Sequence, residues 1–219
     1  VIPARLLGQK STSGKIEILL SKPTNTDWSQ WQCLTKPGIK QPTTVTFPRS
    51  HLIGQISPQG PIDQTYLRSI KFKGIKNIKS ALLKIGQPPL PPYIHPKQPA
   101  KTLAASYQTT FAKSLGSVAA PTAGLHFTPQ LDQQLKDKGV KIIDLTLHVG
   151  LGTFLPVKTQ DITKHQMHSE WFEIKNQTAN LPNSAKKNGQ RISAVGTPCG
   201  RVVESCCQEN GLLKAQSGE

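Results

Sequence analysis

The chain has 219 residues, of which 36% are hydrophobic and 18% charged, and carries a net charge of +15. That length accommodates one large domain or two small ones around a modest core. No apolar run is long enough to span a bilayer as a helix, and no signal-peptide pattern opens the chain, so no membrane partner is expected.

The charge is unevenly spread. Residues 1–100 hold 14 Lys/Arg against 3 Asp/Glu, and residues 101–219 hold 13 against 9. Such asymmetry points to a polyanionic partner, most simply nucleic acid. The four cysteines, Cys33, Cys199, Cys206 and Cys207, lack zinc-site spacing, and the adjacent Cys206-Cys207 pair makes a poor disulfide framework. A reducing, cytoplasmic setting fits that usage best.

Val1-Ile-Pro-Ala-Arg-Leu6 reads like the middle of a domain, and Gln216-Ser-Gly-Glu219 like the middle of a loop. The chain is therefore expected to be a central piece of something longer. Residues 4–80 carry strand signals: Lys15–Leu20 alternates, Thr43–Phe47 is β-branched, and Leu52-Ile53 and Ile70–Phe72 are short apolar pieces. Turns rich in Pro, Gly, Asn and Ser separate them, which predicts a small barrel or sandwich. The densest basic run, Arg68, Lys71, Lys73, Lys76, Lys79 and Lys84, has no acidic residue within it. Residues 80–85 read as a helical turn stopped by Gly86, and Gln87–Ile94 as a stiff proline linker. The stretch Lys97–Ala105 carries little signal and reads as mobile.

From about residue 107 the pattern alternates. Strands are expected at Ser117–Ala120, Val140–His148, Glu170–Ile174 and Arg191–Thr197, and helices at Pro129–Lys138, Thr178–Lys187 and Arg201–Gln208. Alternation of this kind predicts an α/β domain with a largely parallel sheet.

Three strand-to-helix turns concentrate the chemistry. The first, Gly116–Thr128, delivers Thr122, Gly124 and His126 just before a helix with Thr128 as N-cap and Pro129 at its first position. The second, Leu145–Val157, delivers His148, Gly150, Gly152 and Thr153. The third, Arg191–Ser205, delivers Gly196, Thr197 and Arg201. Arg201 is placed to pair either an anionic ligand group or Glu204. If the strands are parallel neighbours, these residues share one rim, where α/β sites belong. Beside them, His165-Gln-Met-His168-Ser-Glu170 holds two histidines three apart. They read as a polar pocket, with Glu170 orienting an imidazole or acting as base, or as part of a metal site lacking an obvious third ligand.

Gly116–Thr128, Leu145–Val157, His165–Glu170 and Ala194–Ser205 together strongly resemble the S-adenosylmethionine:tRNA ribosyltransferase-isomerases of queuosine biosynthesis. Val1–Leu6, Pro89–Ile94 and Tyr107-Gln-Thr109 match further motifs of that family, and the resemblance is weakest over residues 20–80. The departures are Thr197-Pro-Cys-Gly-Arg201, Ala104-Ala-Ser106 before Tyr107, and His95-Pro96.

The resemblance implies a large mixed or parallel-sheet α/β domain (1–3 and 87–219, incomplete at both ends) interrupted by a small all-β barrel domain (4–86). It implies transfer and isomerisation of the ribosyl moiety of S-adenosylmethionine onto 7-aminomethyl-7-deazaguanine at the tRNA wobble position, giving epoxyqueuosine-tRNA with release of adenine and methionine. S-adenosylmethionine is then a ribosyl donor, no metal is needed, and tRNA is the partner; a monomer is expected. Such chemistry needs a base beside the sulfonium, an acid for the departing adenine and an acceptor for the aminomethyl proton. His126, His148, His168 and Glu170 are the expected catalytic set. Arg5, Tyr107, Gln108, Thr122, Gly124, Gly150, Gly152, Thr153, His165, Gly196, Thr197 and Arg201 are expected to bind substrate. Arg68, Lys71, Lys73, Lys76 and Lys79 are expected to meet tRNA phosphates. The alternatives are an inactive RNA-binding remnant of that enzyme and a metal-dependent hydrolase, and the isolated piece is expected to be inactive.

Overall fold

The computed structural model describes residues 1–58, 67–91, 94, 100–154, 159–164 and 168–219. They fall into two units, Ile2–Ala105 and Ser106–Glu219 with Val1.

Alternation builds the first unit. Its strands are β1 (Arg5–Lys10), β2 (Lys15–Pro23), β3 (Gln30–Lys36), β4 (Thr43–Thr46), β5 (Ile53–Pro58) and β6 (Arg68–Lys73). Every second residue turns inward, so that Leu6, Ile18, Trp31, Val45, Ile56 and Ile70 are buried. The ladder order is β1-β2-β3-β6-β5-β4, antiparallel throughout. Strand β4 pairs back onto β1 through Gln9↔Thr46 and Lys10↔Val45, which closes the barrel and removes its edges.

Six strands leave a narrow lumen, and two inward glycines make room in it. A β-carbon on Gly54 would stand 2.8 Å from Ile70 Cδ1, and one on Gly8 would overlap Val45 Cγ1. At one side Trp28 adopts a left-handed backbone (φ 63°) and stays buried. The Trp31 indole N–H donates to its carbonyl at 2.8 Å, and the two rings meet edge to face at 5.1 Å. Helix α1 (Ile78–Ile85) starts where the Asn77 side chain accepts from the Ser80 N–H and stops at Gly86, close to the expected turn.

Helix α2 (Ala100–Ser106) occupies most of the stretch that the sequence left featureless, while residues 95–99 and Pro92-Tyr93 of the linker lie outside the described residues.

The second unit mixes helices with a small sheet. It holds α3 (Pro129–Asp137), β7 (Thr146–Leu147), β8 (Phe172–Ile174), α4 (Asn176–Lys187), α5 (Thr197–Cys206) and β9 (Gln216–Gly218). Among the described residues it also holds three short 3-10 turns, Thr122–His126, Leu151–Phe154 and Ile162–Lys164. The helix signals hold: the Thr128 hydroxyl accepts from the Leu131 N–H, and Pro129 opens α3. The sheet, in the order β7-β8-β9, is antiparallel. Its core is Phe172 and Ile174 from β8 packed with Ala179, Val202 and Cys206.

The expected parallel sheet is absent from the described residues, and the reason is partners. Ser117–Ala120 is buried and small, yet the Val118 and Ala119 N–H groups both donate to the Val149 carbonyl instead of forming a ladder. Val140–His148 shrinks to the two-residue β7. Arg191–Val195 is exposed at every position and pairs with no strand among the described residues. A strand exists only through its neighbour's N–H and C=O groups, so apolar patterning alone does not make one.

Candidate functional site

The second unit draws its three glycine-bearing turns together by direct contacts. The Ser117 hydroxyl accepts from the Val149 N–H at 3.1 Å and donates to the Leu147 carbonyl at 3.2 Å, while the Val118 N–H donates to the Val149 carbonyl at 2.8 Å. This clasp fixes the first turn to the second. Ala123 Cβ lies 3.2 Å from where a Gly196 β-carbon would be, so the first turn also touches the start of α5. Gly196 has φ +87°, a conformation suited to glycine, and delivers the chain to Thr197 and Pro198. The turns meet, though by a side-chain clasp and close backbone approach and not as ends of parallel strands.

Glu170 is the hub of the cluster. Its side chain is only 6% exposed. Oε1 accepts the Gly150 N–H at 2.9 Å and lies 3.4 Å from His168 Nε2. Oε2 lies 3.3 Å from Arg201 Nη1, and Arg201 Nη2 donates to the His168 carbonyl. The His168 ring occupies the space that a side chain at Gly152 would fill. Sequence reasoning named all five of these residues. It missed that Arg201 reaches Glu170, thirty-one positions away, and not Glu204 one helical turn on. A cleft of about 380 Å³ opens beside them, with Leu147, Phe172 and Val202 on its apolar side and Arg201, Ser205 and Gln216 on its polar side.

His148 stands apart from this hub. Its backbone N–H donates to the Trp171 carbonyl at 2.8 Å, and its ring stacks on the Trp171 indole at 4.9 Å. The ring passes so close to Gly116 that a β-carbon there would come within 2.5 Å of it. Burial lowers the His148 pKa below the ordinary imidazole value, which leaves it neutral at neutral pH. Ser117, Gly116 and Trp171 shape the site without having been singled out; an aromatic next to Glu170 and a glycine next to the clasp serine were the available signals.

The remaining expected residues scatter. His126 ends its 3-10 turn exposed, and Thr122 and Thr197 are exposed at the two turn starts. Gly124 is buried, with Thr109 Cγ2 2.9 Å from where its β-carbon would be. Gln108 makes two hydrogen bonds to the backbone of Val1, and Tyr107 is buried. Thr153 lies in the Leu151–Phe154 turn, and His165 lies outside the described residues. Among the described residues no group of three His, Cys, Asp or Glu comes together as a metal centre.

In the barrel unit Arg5 is engaged internally. Nη2 sits 2.7 Å from Glu17 Oε2 and Nη1 donates to Gln87, and the Glu17 hydrogen bond raises the guanidinium pKa. Lys71 and Lys73 alternate outward on β6, and Lys76, Lys79 and Lys84 follow, all exposed. Lys79 Nζ rests 4.8 Å from the Trp28 ring centre, a cation–π contact that leaves it at the surface. Arg68 has the inward parity of Ile70 and Phe72. Its register partner is Cys33, whose thiol burial pushes up to about 12, and its Nε is buried without a hydrogen-bond partner among the described residues.

Comparison with known proteins gives one consistent answer. A family model described as "Queuosine biosynthesis protein" matches residues 1–219. The chain is 46% identical over 224 residues to the S-adenosylmethionine:tRNA ribosyltransferase-isomerase of Clostridioides difficile (strain 630). It is 45% identical over 221 residues to the protein of that name from Desulfitobacterium hafniense, and 42% over 226 residues to that from Natranaerobius thermophilus. Each alignment covers 100% of this chain and 62% of the relative, so the chain spans somewhat under two thirds of their length.

Proposed function

We propose a reaction for a chain that belongs, along its whole length, to the queuosine biosynthesis protein family: transfer and isomerisation of the ribosyl group of S-adenosylmethionine onto 7-aminomethyl-7-deazaguanine at the wobble position of tRNA. Adenine and methionine leave, and epoxyqueuosine-tRNA forms. The observation that carries the proposal is the buried Glu170 carboxylate held between Gly150, His168 and Arg201, because its components come from three stretches that resemble the family.

The chemistry assigns roles. The His168–Glu170 pair takes the proton beside the sulfonium, whose positive charge stabilises the resulting carbanion. His148, kept neutral by burial, accepts the proton of the aminomethyl ammonium. His126, exposed at the end of its turn, protonates the departing adenine. Thr122 and Thr197, exposed at the two turn starts, hold ribose hydroxyls together with Thr153. Each positioned proton transfer contributes on the order of 10²–10⁴ in rate. On the barrel, Lys71, Lys73, Lys76 and Lys79 neutralise tRNA phosphates, whereas the inward Arg68 is left out of that surface. The small antiparallel sheet belongs to a larger mixed α/β sheet in the complete enzyme, which works in the cytoplasm.

The test grafts residues 1–219 in place of the matching segment of the C. difficile relative. Adenine released from S-adenosylmethionine, dependent on precursor tRNA, is the expected result. S-adenosylhomocysteine appearing in place of adenine would mean methyl transfer and would overturn the proposal.

A further inference from the structure

We propose that Arg201 is a positioning residue that holds both members of the His168–Glu170 pair, and is not a substrate-binding group. This rests on the proposed reaction, in which that pair moves a proton. His168 and Glu170 are two apart in the segment that leads into β8, and their side chains meet, with Nε2 3.4 Å from Oε1. One planar guanidinium reaches both: Nη1 lies 3.3 Å from Glu170 Oε2, and Nη2 donates to the His168 carbonyl. The Gly150 N–H fixes the other carboxylate oxygen at 2.9 Å. The carboxylate is thus held at both oxygens, with Oε1 3.4 Å from His168 Nε2. Both terminal nitrogens of Arg201 are spent inside the protein. A lysine supplies charge without the fork and holds one of the two points at most.

The charged groups facing His168 among the described residues are Glu170, Arg201 and, across the cleft, Glu219. Removing the Arg201 cation leaves the Glu170 anion uncompensated and favours the imidazolium.

The experiment follows the His168 imidazole by NMR titration of the 219-residue chain, with its signal assigned by loss in His168→Gln. In Arg201→Gln the His168 midpoint is expected to move up in pH, and in Arg201→Lys to stay near that of the parent. In the grafted enzyme both variants are expected to lose about 100-fold in kcat, the scale of a roughly 1 Å misplacement, with KM for S-adenosylmethionine within about threefold. An unchanged midpoint in Arg201→Gln overturns the proposal, as does a raised KM at unchanged kcat or full recovery of kcat by lysine. Should Arg201→Gln not fold, Glu170→Gln serves, with the His168 midpoint expected to fall; no change there overturns the proposal equally. The titration needs no substrate, so failure of the proposed reaction and failure of the positioning role are read separately.

Discussion

Two glycines two residues apart give a matched pair of perturbations. Gly150 and Gly152 lie in the same turn, and neither has a left-handed backbone, so alanine introduces no backbone strain at either. At Gly150 an added β-carbon meets nothing closer than Glu170 Oε1 at 3.9 Å, an ordinary contact, and the N–H that Glu170 accepts is retained. At Gly152 the same β-carbon overlaps Cγ, Nδ1 and Cδ2 of the His168 ring. The ring then has to retreat by about 1 Å or more to restore van der Waals distance. In stability the change nearly cancels. The His168–Glu170 contact is with a ring 33% exposed, worth at most about 1 kcal/mol. Against that, Gly→Ala restricts the unfolded chain by about 0.4–1 kcal/mol. In catalysis it does not cancel, because a misplacement of about 1 Å costs on the order of 100-fold, or about 2.7 kcal/mol of barrier. Adenine release and thermal melting, measured on both variants, separate the two effects. Gly150→Ala is expected to keep its rate and melt no lower than the parent, and Gly152→Ala to melt within a few degrees of the parent but turn over about 100-fold more slowly. Equal rates in the two variants would refute the reasoning, and so would a Gly152→Ala rate loss matched by gross loss of fold.

The barrel and its surface yield three more expectations. Gly8→Ala should destabilise the barrel by more than Gly54→Ala, since it meets the stiff Val45 side chain and the Thr46 carbonyl at 3.1 Å whereas Gly54→Ala meets the movable end of Ile70; overpacking costs about 1–3 kcal/mol, and urea midpoints read by tryptophan fluorescence give the order. The depressed pKa of His148 means that the unfolded chain takes up a proton more readily than the folded one, so stability should fall as pH drops through about 6.5, and His148→Gln should flatten that part of a melting-temperature profile. Reversing Lys71 and Lys73 together to glutamate should weaken tRNA binding and lower the salt slope by about 2, one for each phosphate that goes without its lysine; an unchanged slope would remove them from the interface.

The barrel was legible because its signal is local and self-consistent. Lys15–Leu20 alternates residue by residue, and a closed antiparallel barrel makes the inward positions apolar, Arg68 excepted, so sequence pattern and burial largely coincide. Helix α3 was legible through its start, Thr128-Pro129, whereas α5 begins at Thr197, four residues ahead of the expected Arg201. The strands expected around residues 117–120 and 191–197 fail for the opposite reason. Val118, Ala119 and Ala120 look like a buried strand, but burial there comes from packing, and the hydrogen bonds converge on Val149. Ile192 and Val195 show strand composition and remain exposed without a partner strand among the described residues. Composition gives a segment's preference for extended backbone, while pairing depends on a second segment that the local sequence does not contain.

The same distinction governs the candidate site. Glu170 and His168 are legible as a pair because they are two residues apart, and residues at that spacing share a side wherever the chain is extended. The partner of Arg201 is not legible in that way. On the helix alone Glu204 is its natural mate, three positions on, and an exposed pair of that kind contributes only a few tenths of a kcal/mol. Glu170 offers a nearly buried carboxylate that already accepts one backbone N–H and is left with an unmet oxygen. An unpaired buried charge costs far more than a surface pair returns, so the distant contact wins. On the positioning role proposed for Arg201, a guanidinium that neutralises a buried carboxylate is engaged inside the protein and not by a ligand. On the proposed reaction, the groups left to an incoming substrate are the His168 imidazole beside the ion pair and, elsewhere in the unit, His126, His148, Thr122 and Thr197, while the ion pair orients His168.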